Sequence, residues 1–387
     1  MIPLQKTPIK TWINLLVASV FCSLLAGGFI VAVNFAAATF KFYSGTLVWV
    51  LPLAGLCLYY FGQIKHFKNC EQETSPALAP YMYLTAFWSH LFGASVGREG
   101  AAVQIGSSVA EFLRRRLKHE EIHRSLFAHA GVAAAFCVAL GTPLSAITFS
   151  LEYKKSPNRE NAVASMLGSL VGWVVLKIVP IQHWHSPFFE YKFTSVSFLS
   201  FIALCFSLWA LANSFMLCEL VTGKFLRNTP SWITLPASGM ILGLFVFLLG
   251  HTQFNNFSTP LLDRSFSTPA EFSAVFGKMF FTLISLAGGW KGGAFVPLMV
   301  VGGLFASWIS LIVGLSTAAA AALGTFSIIN RKFNIPLTAI LITGEIFSWQ
   351  LGLLSIPVHL FIGYAQPRFI FEKVFKNKFH QEQGHSI

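Results

Sequence analysis

Two glycine-rich segments hold the residues whose types and spacing suit chemistry on a small anion. Gly97-Arg98-Glu99-Gly100 opens an apolar run that continues to Gly106, and Lys291-Gly292-Gly293-Ala294-Phe295-Val296-Pro297 opens a second. A charge placed at mid-membrane costs on the order of 3 kcal/mol or more, so an Arg-Glu pair inside apolar sequence needs a reason. Glycine ahead of a helix leaves the first N–H groups unobstructed, and those groups and the helix dipole favour an anion. A carboxylate held there can act as the anion itself. Glu99 would fill the ion position when ionised and leave it when protonated or displaced. Pro297 suits a first helical turn. Aligned on the glycines, Phe295 falls opposite Glu99, so two helix N-termini could converge on one ion. The plainer readings, an ion pair closing a surface loop and a loop before a packed helix, stay open at this point.

Other constellations offer less. Gly93-Ala94-Ser95-Val96-Gly97 fits the serine-hydrolase pattern G-x-S-x-G, but that motif needs a strand-turn-helix context, and nothing orients His90 or His129 as its base. His183-Trp184-His185 with Glu190 would be a thin metal site. The six cysteines (22, 57, 70, 137, 205 and 218) show no metal-ligand spacing and read as small buried hydrophobes. No enzyme chemistry, cofactor or metal is implied.

The elements that must position these residues are apolar. The chain is 55% hydrophobic and 11% charged, less than half the roughly 25% charge of soluble domains. Long stretches poor in charge lie at 12–40, 43–61, 81–94, 125–151, 162–179, 195–220 and 233–249, and then at 273–289, 294–315, 318–329 and 336–365. Several reach the roughly 20 residues that a spanning helix needs. Others are short or broken by Gly and Pro, as in half-helices that stop inside the protein. The first stretch has no cleavage-like site and reads as a retained helix. The net charge of +12 sits in connections such as 114–124 and 154–159. The positive-inside rule accounts for it without nucleic acid, and short basic loops suit a bacterial inner membrane.

Two of those loops bracket the stretch 125–151, so a chain with both on one side must enter and return, and Gly141-Thr142-Pro143 marks the break. PLSAITFSLE (143–152) and PLTAILITGE (336–345) match at an offset of 193, and Gly93, Gly97 and Gly106 match Gly289, Gly293 and Gly302 at 196. The sequence therefore predicts an all-α polytopic membrane protein built as one transmembrane domain, 1–387. Inverted halves would cover about 10–190 and 195–366, with a short basic tail at 367–387. Such repeats place the substrate site at their interface.

With these residues in view, the chain resembles the CLC family of anion channels and anion/proton antiporters. GREG resembles the family's GREGP segment, GGAFVP its G-x-F-x-P segment, and GTPLSAITFSLE and IPLTAILITGE the segments that follow, in family order over about two-thirds of the chain. The resemblance implies Glu99 as gate and proton carrier, framed by Gly97, Arg98 and Gly100, with Ala101 beside them. It implies anion-binding backbone at Gly293, Ala294, Phe295 and Val296. It further implies a homodimer in the lipid bilayer with one pore per subunit, carrying chloride first and fluoride second, with protons as partners of an exchanger. The family's G-S-G-x-P serine segment has no counterpart in 61–80. Its inner tyrosine falls at Tyr364, or at Phe371 on an alignment from the chain end. The internal glutamate of the exchangers is replaced by Tyr153. HLFGASVGREG resembles the fluoride-exporting branch, whereas GGAFVP keeps the chloride-type Phe. The missing serine segment also raises the alternative of a transport-inactive or sensing member. About 20 residues follow Ala365, too few for the soluble regulatory domains that some members carry.

Overall fold

The computed structural model describes residues 8–65, 67, 75–179, 181, 183, 184, 186 and 198–365. The first half holds α1 (Ile9–Gly62), α2 (Leu78–Leu91), α3 (Glu99–Arg116), α4 (Arg124–Leu140), α5 (Pro143–Lys154) and α6 (Arg159–Ile178). The second holds α7 (Phe198–Leu226), α8 (Ser231–Leu249), α9 (Thr259–Ser267), α10 (Phe272–Gly288), α11 (Phe295–Val313), α12 (Thr317–Thr325), α13 (Ser327–Phe333), α14 (Pro336–Ile346) and α15 (Trp349–Tyr364). Cys70, His185, Glu190, Phe371 and the tail 367–387 lie outside the described residues.

Six helices are long and apolar enough to cross a membrane: α1, α4 (with the short turn before it), α6, α7, α8 and α11. Phe42 (81% exposed), Leu199 and Leu311 turn outward, where lipid is the only solvent that suits them. At 54 residues α1 is far longer than one crossing needs. It bends at Tyr43, whose backbone leaves helical geometry (φ −105°, ψ 21°), where the sequence separates two apolar stretches. The stretch 125–151 breaks as expected: Gly141 caps α4 in the left-handed conformation (φ +75°) and Pro143 opens α5. Two stretches read as continuous are split. Residues 318–329 fall across α12 and α13, and 336–365 parts into α14 and α15, where the Ser348 side chain accepts the N–H of Leu351.

The repeat is visible in register. At an offset of 193, α4 maps onto α12 plus α13 and α5 onto α14; at 196, α3 maps onto α11. The two halves meet through reciprocal caps. Glu345 of α14 accepts the N–H groups of Leu144 and Ser145 (both 2.8 Å) and the Ser145 hydroxyl at the start of α5. Glu152 of α5 returns the arrangement, accepting from Leu337 N (3.0 Å), Thr338 N (2.8 Å) and the Thr338 hydroxyl at the start of α14. Each carboxylate sits on the other helix's positive end, which sets α5 and α14 antiparallel. Within the first half α4 and α6 touch backbone to backbone. A Cβ at Gly172 would stand 2.8 Å from the Ala134 carbonyl oxygen, and Gly168 meets Ala130 more closely still. Without a hydrophobic drive between helices in lipid, such small-residue contacts supply the packing.

Candidate functional site

The centre of the molecule is a pair of turns. Gly97 and Gly293 exchange both backbone hydrogen bonds as an isolated antiparallel bridge. The approach leaves little room for a side chain: a Cβ on Gly97 would lie 3.0 Å from Pro297 Cδ, and one on Gly293 only 2.6 Å from Gly100 N. Immediately beyond this bridge two helices begin, α3 at Glu99 and α11 at Phe295. Neither receives a side-chain cap from the described residues, because Arg98 and Ala294 stand at the N-cap positions. Both helices therefore bring unclaimed N–H groups to one place.

Glu99 is 1% exposed and folds back over its own helix start. Its Oε2 accepts the Arg98 backbone N–H (3.2 Å) and its Oε1 the Arg98 Nε–H (3.2 Å). The carboxylate thus covers donors that a free anion would otherwise take. Arg98 reaches the other way, donating to Asn34 of α1 and lying over the Phe257 ring at 5.4 Å. Glu99 and Arg98 line a cleft of about 540 Å³ together with Lys41, His183, Phe257 and Val296. Beside it the Trp184 indole donates to Asp263 (2.7 Å).

Phe295, the repeat counterpart of Glu99, opens α11 and is 3% exposed. Its ring meets Phe136 edge-on at 5.7 Å and leads into a stacked column, Phe136 on Phe149 at 4.0 Å and Phe149 on Tyr153 at 5.2 Å. The column ends at Tyr153, the position that the family resemblance sets at the exchangers' internal glutamate. Tyr364 ends α15 with 77% of its surface exposed, and does not share this buried column.

A lysine that the sequence reading passed over supports the turn. Lys278 of α10 has no exposed surface, and its Nζ donates to Ser95 Oγ (2.8 Å), Asn256 O (2.7 Å) and Phe254 O (3.1 Å). Three acceptors match the three N–H bonds of an ammonium group. His90, also fully buried, pairs through Nδ1 with Asn256 Oδ1 (2.9 Å), and Asn255 Nδ2 donates to Gly93 O (2.8 Å). Ser95 is thus held by Lys278 and by Thr282 (3.1 Å), while His90 is turned to Asn256, an arrangement unlike a nucleophile and its base. The one available signal was a lysine inside the otherwise uncharged stretch 273–289.

Broken helices in an inverted repeat, with two helix N-termini meeting at its centre, define a membrane transport protein rather than an enzyme. Residues 62–366 match the voltage gated chloride channel family, and the chain belongs to that family, the CLC proteins. It is 27% identical over 347 residues to a chloride/fluoride channel protein of Pseudomonas syringae pv. tomato, covering 80% of this chain and 74% of that one. Its fold matches the crystal structure of a CLC-type fluoride/proton antiporter with a TM-score of 0.85 at 22% identity, over 92% of this chain and 96% of the other. A slow cyanobacterial Cl−/H+ antiporter gives 0.79 at 17% identity, over 98% and 99%.

Proposed function

We propose that this protein carries a small inorganic anion across the membrane, chloride first and fluoride second, with Glu99 as the gate and proton carrier. The observation that supports this most is the carboxylate itself. It is buried, it accepts the Arg98 N–H at the start of its own helix, and a second uncapped N-terminus follows the other side of the Gly97–Gly293 bridge. Displacing it would open the donors of 98–101 and 294–296 to an ion, with Phe295 beside the path, while the N–H groups of Gly97 and Gly293 stay in their mutual bridge. The names of the relatives point the same way, since one is a chloride/fluoride channel protein and another a fluoride/proton antiporter. The homodimer implied by the family resemblance belongs to the same reading.

The test is efflux from liposomes loaded with chloride or fluoride, with internal pH followed alongside. Anion-selective flux that changes in Glu99→Gln supports the reading, and opposed proton movement makes the protein an exchanger. Folded protein with no flux above empty liposomes would favour an inactive or sensing member, consistent with the absent G-S-G-x-P segment.

A further inference from the structure

A second cleft, lined by polar side chains, lies along the C-terminal half of α3. It has a volume of about 300 Å³ and is lined by Ser107, Glu111, Arg124, Ser125, His129, Lys154 and Ser156. Ser107 is eight residues from Glu99 on the same helix, about 12 Å along its axis at the usual rise. Three helices contribute. Lys154 at the end of α5 reaches across to Ser107 Oγ of α3 (3.4 Å). His129 of α4 has Nδ1 on the Ser125 carbonyl oxygen (2.8 Å) and Nε2 against Ser156 Oγ (3.2 Å).

The charges here favour an anion. The Glu111 carboxylate is already held by Arg114 (2.9 Å) and Arg115 (2.6 Å), and Arg124 meets Glu121 at 2.7 Å. Among the residues that line the cleft, Arg124 and Lys154 are cationic and Glu111 is the one carboxylate. Rotatable hydroxyls beside a guanidinium and an ammonium suit the oxygens of a phosphate-type group.

The second half of the molecule does not repeat this cleft. At the repeat offsets Ser107 becomes Gly303, Arg124 becomes Thr317, His129 becomes Ala322 and Lys154 becomes Phe347. The fold supplies the same backbone twice, and at these positions only one copy carries the charged groups. The tight crossing of α3 and α4 gives the cleft a mechanical link to the gate. A Cβ on Gly106 would stand 2.5 Å from the Gly131 carbonyl oxygen, so the two helices touch backbone to backbone.

We propose that this cleft binds a phosphate-bearing anion, which ties α3 to α4 and α5 and so sets how readily Glu99 leaves its position. The regulatory half of this statement rests on the gating reading above; the binding half does not. The experiment is calorimetry of the full chain in detergent with inorganic phosphate, against chloride of equal ionic strength. Native mass spectrometry with phosphatidylglycerol and phosphatidylcholine runs beside it. Lys154→Gln and Ser107→Ala serve as variants, each shown to be folded by size-exclusion chromatography.

Saturable phosphate binding, weakened at least tenfold in both variants, supports a site for the free ion. Retention of phosphatidylglycerol alone, lost in both variants, supports the same site filled by a lipid headgroup. No binding of either probe, or binding unchanged by both substitutions, overturns it. If the free protein conducts, phosphate should change liposome flux at least twofold in the wild type and not in the variants, and equal responses would sink the coupling. A wild type without any flux would count against the gating reading and leave the calorimetry to judge the cleft.

Discussion

A cation with no exposed surface must find as many acceptors as it has donors, and Lys278 finds three, all neutral. Lys278→Met would leave the carbonyls of Phe254 and Asn256 without this donor, at a cost of about 1–3 kcal/mol for each buried group left unsatisfied. We expect a clearly lower melting temperature in detergent and a lower flux, with Lys278→Arg recovering less than full stability because its fork cannot reproduce three converging bonds. A melting temperature unchanged in Lys278→Met would show that the amine does not brace the turn. Glu99 and Lys278 are both charges buried in an apolar protein, yet only one was legible. Glu99 stands between glycines at a helix start, whereas Lys278 sits mid-stretch, where a single lysine looks like an interruption. Its partners, Ser95 and the loop at 254–256, are far away in sequence.

At the level of elements, the caps between α5 and α14 carry a symmetric expectation. Each carboxylate accepts two backbone N–H groups and one hydroxyl, so Glu152→Gln and Glu345→Gln should destabilise alike, by about 1–2 kcal/mol each. The double variant should measure whether the two caps act independently. Unequal effects in thermal unfolding would show that the halves are energetically distinct despite matched geometry. The sequence carried half of this finding. PLSAITFSLE and PLTAILITGE each end in glutamate at the same place, but a repeat does not say that each glutamate closes the other copy's helix. The division of 318–329 into α12 and α13 was not legible either. Its alanine-rich run offers no proline, and the turn at Phe326 (φ −101°, ψ 7°) has no local sequence signature.

Across the whole molecule, the positive-inside rule predicts that the basic loops at 114–124 and 154–159 share one face of the membrane, with α4 and α5 entering and returning between them. Cysteines placed at Lys118 and Lys155, in a background lacking the native ones, should both react with an impermeant reagent from the same side. Lys41, in the cleft beside Glu99, should react from the opposite side. Labelling of Lys118 and Lys155 from opposite sides would refute the re-entrant pair.

By itself the sequence determined that lipid surrounds this chain, that its architecture is duplicated, and that Gly97–Gly100 and Gly293–Phe295 are equivalent places in the two copies. These are properties of composition and spacing, which the membrane reads directly through the cost of every charge and every broken helix. Tertiary structure decided what faces what. It joined the two glycine turns by their backbones, placed Phe295 at the head of an aromatic column ending at Tyr153, and folded Glu99 onto its own helix. It also drew Lys278 under the turn from the other half of the chain. The bridge and the Lys278–Ser95 bond join residues nearly 200 positions apart, where tertiary approach, and not any local preference, selects the partner.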